Sequence, residues 1–139
     1  MLNLGNEQHA AAAGRLREEL VIWLTTVSAS GQPQSSPVWF EWDGSEFVIY
    51  GSKDGQKTRN IAANPRVGLH LDGNGQGCGN VIFEGTARID EDPASVESVP
   101  PGYTAKYQAR IEAFGWSPES LMRDYPHVIR VTPTRARIW

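Results

Sequence analysis

The stretch that decides the fold is residues 21–51, VIWLTTVSASGQPQSSPVWFEWDGSEFVIYG. It holds three runs rich in β-branched and aromatic residues, at 21–29, 34–42 and 46–51, separated by the turn sequences SGQP and DGS. Such runs favour strands, and short glycine-containing turns join antiparallel neighbours. The stretch therefore predicts a β-meander. Because Pro37 cannot donate to a strand ladder, we expect an edge or a bulge at that point.

The chain after the meander supplies the rest of the sheet. Residues 57–64, KTRNIAAN, predict a short helix that ends before Pro65, since the residue preceding a proline avoids the α conformation. Runs at 66–72, 80–89 and 127–139 have the composition of strands. With the meander they make a six-stranded sheet.

Helices are expected around this sheet. Residues 7–20 are rich in Ala, Leu, Arg and Glu and predict an amphipathic helix. Further helical patterns occur at 93–99, 103–114 and 117–125. The fold class is therefore mainly β with a few helices, a six-stranded antiparallel barrel that forms a single domain over 1–139.

Composition excludes several classes of protein. The chain has 139 residues and a net charge of −3, which fits one globular domain and argues against a general nucleic-acid surface. One cysteine rules out an internal disulfide framework, and a reducing, cytoplasmic setting is expected. The first 20 residues are too polar for a signal peptide, and no apolar run approaches the length of a membrane span, so no membrane association is expected.

Positive charge gathers in one place, residues 50–67, YGSKDGQKTRNIAANPRV, where four cations accompany a single acid. A helix that begins near Gln56 offers free N–H groups and the positive end of its dipole, where cations are normally disfavoured. Lys57 and Arg59 in that first turn make sense if an anion such as phosphate binds there. From the residues alone, solvated surface cations on a connecting loop remain an equal alternative.

The inventory of acid–base and nucleophilic groups is thin. The three histidines, His9, His70 and His127, share no metal-ligand spacing, and Cys78 has no neighbouring base. The glycine-rich run 73–79, GNGQGCG, joins two predicted strands and so is not a dinucleotide-binding fingerprint. This composition suits chemistry that a bound cofactor carries out, with the protein supplying position and electrostatics.

Three motifs in a fixed order carry a family resemblance: G-x-P-x-x-x-P-V-W, then F-V-I-Y, then K-x-R-N-I-x-x-N-P-R-V. With this order, residues 20–90 resemble the split β-barrel flavoproteins that are similar to pyridoxamine 5′-phosphate oxidase. Within that superfamily the chain is most similar to the flavin/deazaflavin oxidoreductases that use coenzyme F420. The resemblance implies an FMN-binding split barrel that forms a homodimer, with cofactor sites at the subunit interface.

The resemblance also implies a set of site residues. Lys57 would be the main phosphate partner, and Arg59 and Lys53 would contact the phosphate or the glutamate tail of a deazaflavin. The second strand would border the ring, and the end of the third strand would lie beside the ribityl chain; these residues are Ser36, Pro37, Val38 and Trp39, and Tyr50, Gly51 and Ser52. The structural alternatives are that Val38 and Tyr50 belong to the core and that Trp39 is a dimer contact.

The implied function is hydride transfer between coenzyme F420 and a small organic substrate. The alternatives are an FMN-dependent oxidase or reductase of the same fold, and a non-catalytic protein that binds a flavin, a deazaflavin or haem. No counterpart of the C-terminal substrate-binding arginine and histidine of pyridoxamine 5′-phosphate oxidase is found, since Arg135 and Arg137 stand in a different context. Vitamin B6 oxidation is therefore not expected. Whether loop 73–79 covers the ring should separate an enzyme from a binder.

Overall fold

The computed structural model describes residues 2–52, 54–90 and 101–139. Lys53 and the predicted helix at 93–99 lie outside the described residues. The elements, in chain order, are α1 Glu7–Glu18, β1 Ile22–Val27, β2 Pro33–Val38, β3 Glu41–Trp42, β4 Phe47–Gly51, α2 Gln56–Ala63, β5 Arg66–His70, β6 Val81–Asp90, α3 Pro101–Ala113, α4 Pro118–Asp124 and β7 His127–Ile138. None of the described helices combines the length and the apolar character that crossing a membrane requires.

The described strands form one antiparallel sheet in the order β2-β1-β5-β6-β7-β4-β3. Its two edge strands, β2 and β3, follow each other in the chain with only Trp39 and Phe40 between them. The sheet must therefore curl until its edges approach each other, which gives a half-barrel. Pro37 lies in edge strand β2, as predicted. The mainly β fold class is confirmed.

The predicted count of six strands is wrong, because the run 34–42 forms two strands and the described sheet has seven. The break falls at Trp39 and Phe40. The Phe40 N–H donates to the Tyr107 hydroxyl at 2.8 Å, and the Phe40 carbonyl accepts from Lys106 Nζ at 3.0 Å. Two side chains of α3 thus replace strand partners at this bend.

Apolar side chains form two cores, on the two faces of β4. Phe47 and Ile49 point into the barrel, whose interior Leu16 of α1 helps to fill. Val48 and Tyr50 point outward and are covered by α3 and α4, so β4 is buried on both faces. This second core places α3 and α4 beside the outer end of β4.

Helix α2 is fastened to the sheet through a buried asparagine. The Asn60 amide donates to Thr26 Oγ1 at 2.9 Å and to Gln34 Oε1 at 2.8 Å. Asn60 Oδ1 accepts from Gln56 at 2.7 Å. The helix ends before Asn64, as the following proline predicted. These bonds fix the first turn of α2, and with it Lys57, relative to β1 and β2.

The glycine-rich segment 73–79 connects β5 to β6, as predicted. Arg15 of α1 donates to the carbonyls of Asp72 and Gly79, at 2.6 and 2.8 Å, one on each side of the segment. The loop is therefore anchored beside α1.

Candidate functional site

A cavity of about 410 Å³ opens where β2, β4, the first turn of α2 and the two helices α3 and α4 meet. This volume lies within the range of small-ligand sites. Among the residues that the structure describes, the lining consists of Pro37, Val38, Trp39, Tyr50, Lys57, Tyr103, Phe114, Trp116, Leu121 and Tyr125, and Lys57 is the charged one. An apolar cavity with a single cation suits a flat ligand that carries an anionic group.

Aromatic rings make up most of the cavity wall. Trp39 stacks on Tyr107, which lies behind the wall, with 4.6 Å between ring centroids and 4° between planes. The rings of Phe114 and Trp116 lie 6.3 and 6.0 Å from Trp39. Phe114 and Trp116 are 57% and 42% exposed. Large exposed aromatic side chains at a cavity mark a binding surface, and their faces stack with planar ligands.

The rim of the cavity carries an anion-binding arrangement. Helix α2 begins at Gln56, and its N-cap residue, Gly55, offers no side-chain cap, whereas Asn6 caps α1 and Ser117 caps α4. The first N–H groups of α2 are therefore left for solvent or a ligand. Lys57 is half-buried there and makes no hydrogen bond or ion pair with any residue that the structure describes. A helix N-terminus and an unpaired ammonium group at one point favour phosphate or carboxylate.

A tight turn between β4 and α2 sets the position of this rim. The Ser52 carbonyl accepts from the Gly55 N–H at 3.1 Å and from the Thr58 hydroxyl at 3.3 Å. A Cβ at Gly55 would lie 2.6 Å from Ser52 Oγ, and one at Gly51 would lie 3.0 Å from Thr58 Oγ1. Glycine at both positions therefore lets the chain fold back closely enough to bring Lys57 beside β4.

Tyr50 gives the cavity a buried hydroxyl. Its phenol oxygen is shielded from solvent and has no hydrogen-bond partner among the described residues, while the Tyr103 ring meets the Tyr50 ring edge-on at 4.6 Å. Burial raises the pKa of the Tyr50 phenol, so the group stays protonated and able to donate. A buried polar group without a partner in the protein calls for a ligand or an ordered water.

Half of the ten predicted site residues line the cavity: Pro37, Val38, Trp39, Tyr50 and Lys57. Ser36 does not line it, Gly51 is the last residue of β4, and Ser52 begins the turn that leads to α2. Arg59 points back along its own loop, where its guanidinium donates to the Asp54 carbonyl and to Gln56 Oε1. Lys53 lies outside the described residues. Cofactor binding by each of the ten stays a prediction.

Sequence reasoning missed the wall that α3, α4 and the residues directly after each helix contribute: Tyr103, Phe114, Trp116, Leu121 and Tyr125. Tyr103 lies in the helical pattern predicted over 103–114 and was given no role in the site. The signal that could have found this wall is the five aromatic residues between 103 and 125, several of them outside the helical repeat of apolar positions.

The family is decided by comparison with known sequences. A family model described as pyridoxamine 5′-phosphate oxidase matches residues 8–139. The chain belongs to the pyridoxamine 5′-phosphate oxidase family. The match spans both the half-barrel and the helices that form the cavity wall, so the whole site lies within the family domain.

The known proteins and solved structures that resemble the chain have names that describe different functions. A Streptomyces avermitilis protein, pyridoxine/pyridoxamine 5′-phosphate oxidase, is 39% identical over 61 residues, which are 43% of this chain and 27% of that protein. The chain thus matches only about a quarter of this relative's length. The structure of an F420 reductase is 26% identical, with a TM-score of 0.65, covering 89% of this chain and 94% of that one. HutZ, the heme storage protein from Vibrio cholerae, shares the fold alone, at 18% identity, a TM-score of 0.63 and 92% coverage of both chains.

Proposed function

We propose that the protein is an F420-dependent oxidoreductase that transfers a hydride between the deazaflavin coenzyme and a small organic substrate. One observation carries the proposal: the unpaired Lys57 and the uncapped start of α2 lie at the rim of an aromatic cavity. The Lys57 ammonium group and the free N–H groups of α2 suit a phosphate, and the aromatic wall of the cavity suits a planar ring. The likeness to an F420 reductase supports the choice of coenzyme.

The residues of this site divide into two tasks. Lys57 and the free N–H groups of α2 hold the phosphate, and Pro37, Val38, Trp39 and Tyr50 orient the ring and keep water from it. The bound coenzyme supplies the hydride chemistry. The protonated Tyr50 hydroxyl offers a hydrogen bond to a polar edge of the ring.

FMN is the alternative cofactor, because it also joins a flat ring to a phosphate. The same cavity then serves an FMN-dependent oxidase or reductase. A non-catalytic binder is less well supported, since loop 73–79, which could have covered the ring, is anchored beside α1.

Haem fits the cavity poorly. The described lining holds no histidine, cysteine or methionine, which are common axial ligands. Tyrosine binds haem iron as the phenolate, and burial, which raises the pKa of Tyr50 and of Tyr103, disfavours that form.

The proposed active unit is a homodimer. The aromatic wall is open on one side, and Phe114, Trp116 and Tyr125 remain 57%, 42% and 37% exposed in the single chain. A second copy placed over this opening buries apolar surface and closes the site from water. The dimer rests on this exposed edge and on the family resemblance.

A titration of the purified protein with coenzyme F420 and with FMN, each oxidised and reduced and followed by fluorescence, tests the proposal. We expect tight binding of F420 and weaker binding of FMN, and then oxidation of reduced F420 in the presence of electrophilic substrates. Selective binding of FMN would move the protein to the flavin alternative. Binding of neither cofactor would overturn the oxidoreductase proposal.

A further inference from the structure

The bend between β2 and β3 is held from α3 by two adjacent side chains. The Tyr107 hydroxyl accepts the Phe40 N–H at 2.8 Å and donates to the Leu20 carbonyl at 2.7 Å. Lys106 Nζ donates to the Phe40 carbonyl at 3.0 Å and to the Leu16 carbonyl at 3.3 Å. Side chains of α3 thus bind both the N–H and the carbonyl of Phe40. Lys106 and Tyr107 also bind carbonyl groups in and just after the last turn of α1.

This bend carries Trp39, which lines the cavity. The Tyr107 ring stacks flat behind Trp39, and Lys106 Nζ lies 3.7 Å from the centroid of the Phe40 ring. No described strand ladder passes through Trp39 or Phe40, so the bonds from α3 hold the backbone of this bend and the Tyr107 ring supports Trp39 from behind. Tyr107 is fully buried and does not line the cavity, so it acts on a ligand through the lining residues that it packs against, Trp39 and Tyr103.

We propose that Lys106 and Tyr107 are positioning residues that hold Trp39 in the cavity wall, and that loss of the Lys106 proton loosens this hold. The effect of these two residues on ligand binding rests on the proposed function. The placement of Trp39 itself does not depend on any ligand.

The surroundings of Lys106 set the pH at which this happens. Desolvation lowers the pKa of Lys106 to about 8, while Glu41 of β3 and Glu19 at the end of α1 act in the opposite direction. Glu19 is paired with Arg15, and burial raises the pKa of Glu41. A neutral amine loses the charge that strengthens its bonds to carbonyl groups and its attraction to the Phe40 ring.

Loosening of Trp39 is distinguished from unfolding by the direction in which the contribution of Lys106 to folding stability changes with pH. Because the pKa of Lys106 is lower in the folded chain, the unfolded chain binds more protons between about pH 8 and pH 10.5. The contribution of Lys106 to folding stability therefore rises with pH in that window. Deprotonation of Lys106 therefore does not by itself destabilise the fold in that window.

Fluorine NMR of protein labelled with 5-fluorotryptophan tests the inference without any ligand. The chain has five tryptophans, and Trp39→Phe identifies the Trp39 resonance. We expect Lys106→Met and Tyr107→Phe to shift and broaden that resonance and to leave the resonance of the exposed Trp139 unchanged. Arg110→Met is the matched control, because Arg110 is an exposed cation one turn further along α3.

A pH titration of the same resonance separates positioning from general packing. In the unchanged protein the Trp39 resonance should titrate with a midpoint near pH 8. Lys106→Arg should keep the low-pH position and abolish the titration, because arginine does not lose its proton. A Trp39 resonance that is unaffected by both Lys106→Met and Tyr107→Phe would overturn the inference, as would a titration that persists in Lys106→Arg. If Lys106→Met does not fold, Lys106→Arg and the unchanged protein still decide.

Ligand binding gives the second arm of the test. Lys106→Met should weaken FMN binding about fivefold, the share expected for one aromatic stacking face, and Arg110→Met should leave it unchanged. Equal FMN affinity in a variant with a displaced Trp39 resonance would overturn the link between Trp39 and the ligand. Absence of FMN and F420 binding in every variant, including the unchanged protein, would count against the proposed function while the NMR result still decides the positioning role.

Discussion

At the scale of the residue, the cation cluster separates into members with different surroundings. Lys57 lines the cavity without a described partner, whereas Arg59 is bound to its own loop through Asp54 and Gln56. From the sequence, Lys57 could be chosen as the main phosphate partner only because of its place in the motif K-x-R-N-I-x-x-N-P-R-V. Nothing in the spacing indicates that the Arg59 guanidinium turns back, because that depends on a carbonyl that the folded turn presents.

Lys57→Ala should weaken cofactor binding far more than Arg59→Ala or Lys53→Ala. A hydrogen bond to a charged group contributes about 1.5–3 kcal/mol, so a loss of roughly tenfold to a hundredfold in affinity is expected. Fluorescence titration with F420 or FMN measures it, and Lys57→Arg serves as the charge-retaining control. Equal effects of the three alanine variants, or no effect of any, would contradict the phosphate assignment.

Asn60 is the polar side chain that fastens α2 to the sheet, and it is 3% exposed. Asn60→Ala removes the side-chain hydrogen bonds of Asn60 and leaves the buried Thr26 hydroxyl without its Asn60 partner. We expect this to lower the free energy of unfolding by about 1–3 kcal/mol. The midpoint of urea unfolding measures this loss. Asn64→Ala is the control, since Asn64 makes one bond to the Arg66 N–H near the surface and should cost less. A cost for Asn60→Ala no larger than that of the control would show that this fastening is unimportant.

At the scale of the element, the parts that the sequence predicts well are those set by local pattern. The meander turn at 43–45 forms as expected, with Asp43 Oδ1 accepting the N–H groups of Ser45 and Glu46 at 2.8 and 2.7 Å. The break at Trp39 and Phe40 was not predictable, because its cause is the side chains of Lys106 and Tyr107, more than 60 residues away. A run of strand-forming residues does not reveal that a distant helix takes the backbone partners in its middle.

The same limit explains the half-found site. Residues on β2, β4 and α2 belong to the motifs that carried the resemblance, and those motifs named five of the lining residues. The wall from α3 and α4 lies outside the motifs. Its residues come together because the Val48 and Tyr50 side chains on the outer face of β4 pack against α3 and α4, which places both helices on that face.

Strands β4, β6 and β7 are joined at one end by a charged cluster that should make the fold sensitive to acid. Glu46 forms a bidentate ion pair with Arg88 and accepts from Thr132 Oγ1 at 2.8 Å. The hydrogen bonds from Arg88 lower the pKa of Glu46 to about 2. This depressed pKa gives a stabilisation that is present above about pH 4.5 and is lost as the pH falls toward 2.

Glu46→Gln should therefore lower the free energy of unfolding at pH 7 and have little effect at pH 2, where Glu46 loses its charge. The expected loss at pH 7 is only about 1 kcal/mol, because Arg88 is more than half exposed and solvent screens the pair. Denaturant unfolding at the two pH values measures the difference. Glu84→Gln is the matched control, since its pair with Arg135 is exposed on both sides and has a separation of 3.7 Å. A cost of Glu46→Gln that does not change between pH 7 and pH 2 would contradict the assignment.

At the scale of the whole molecule, the open aromatic edge is the feature that a single chain leaves incomplete. We expect a dimer, so light scattering coupled to size-exclusion chromatography should give twice the chain mass of 15.3 kDa. Trp116→Glu should shift the equilibrium toward the monomer, because it places a charge in the apolar edge. Leu4→Glu, at an exposed apolar residue that does not line the cavity, should not. A monomer at micromolar concentration, or equal behaviour of the two variants, would refute the dimer.

The central claim is that one cavity holds a planar ring against the aromatic wall and its phosphate at the start of α2. A crystal structure of the protein with coenzyme F420 measures this directly. We expect the ring between Trp39 and Tyr50, the phosphate on Lys57 and the first N–H groups of α2, and a second copy over the open side. A complex in which the phosphate lies away from Lys57, or the ring lies outside this cavity, would contradict the proposed site.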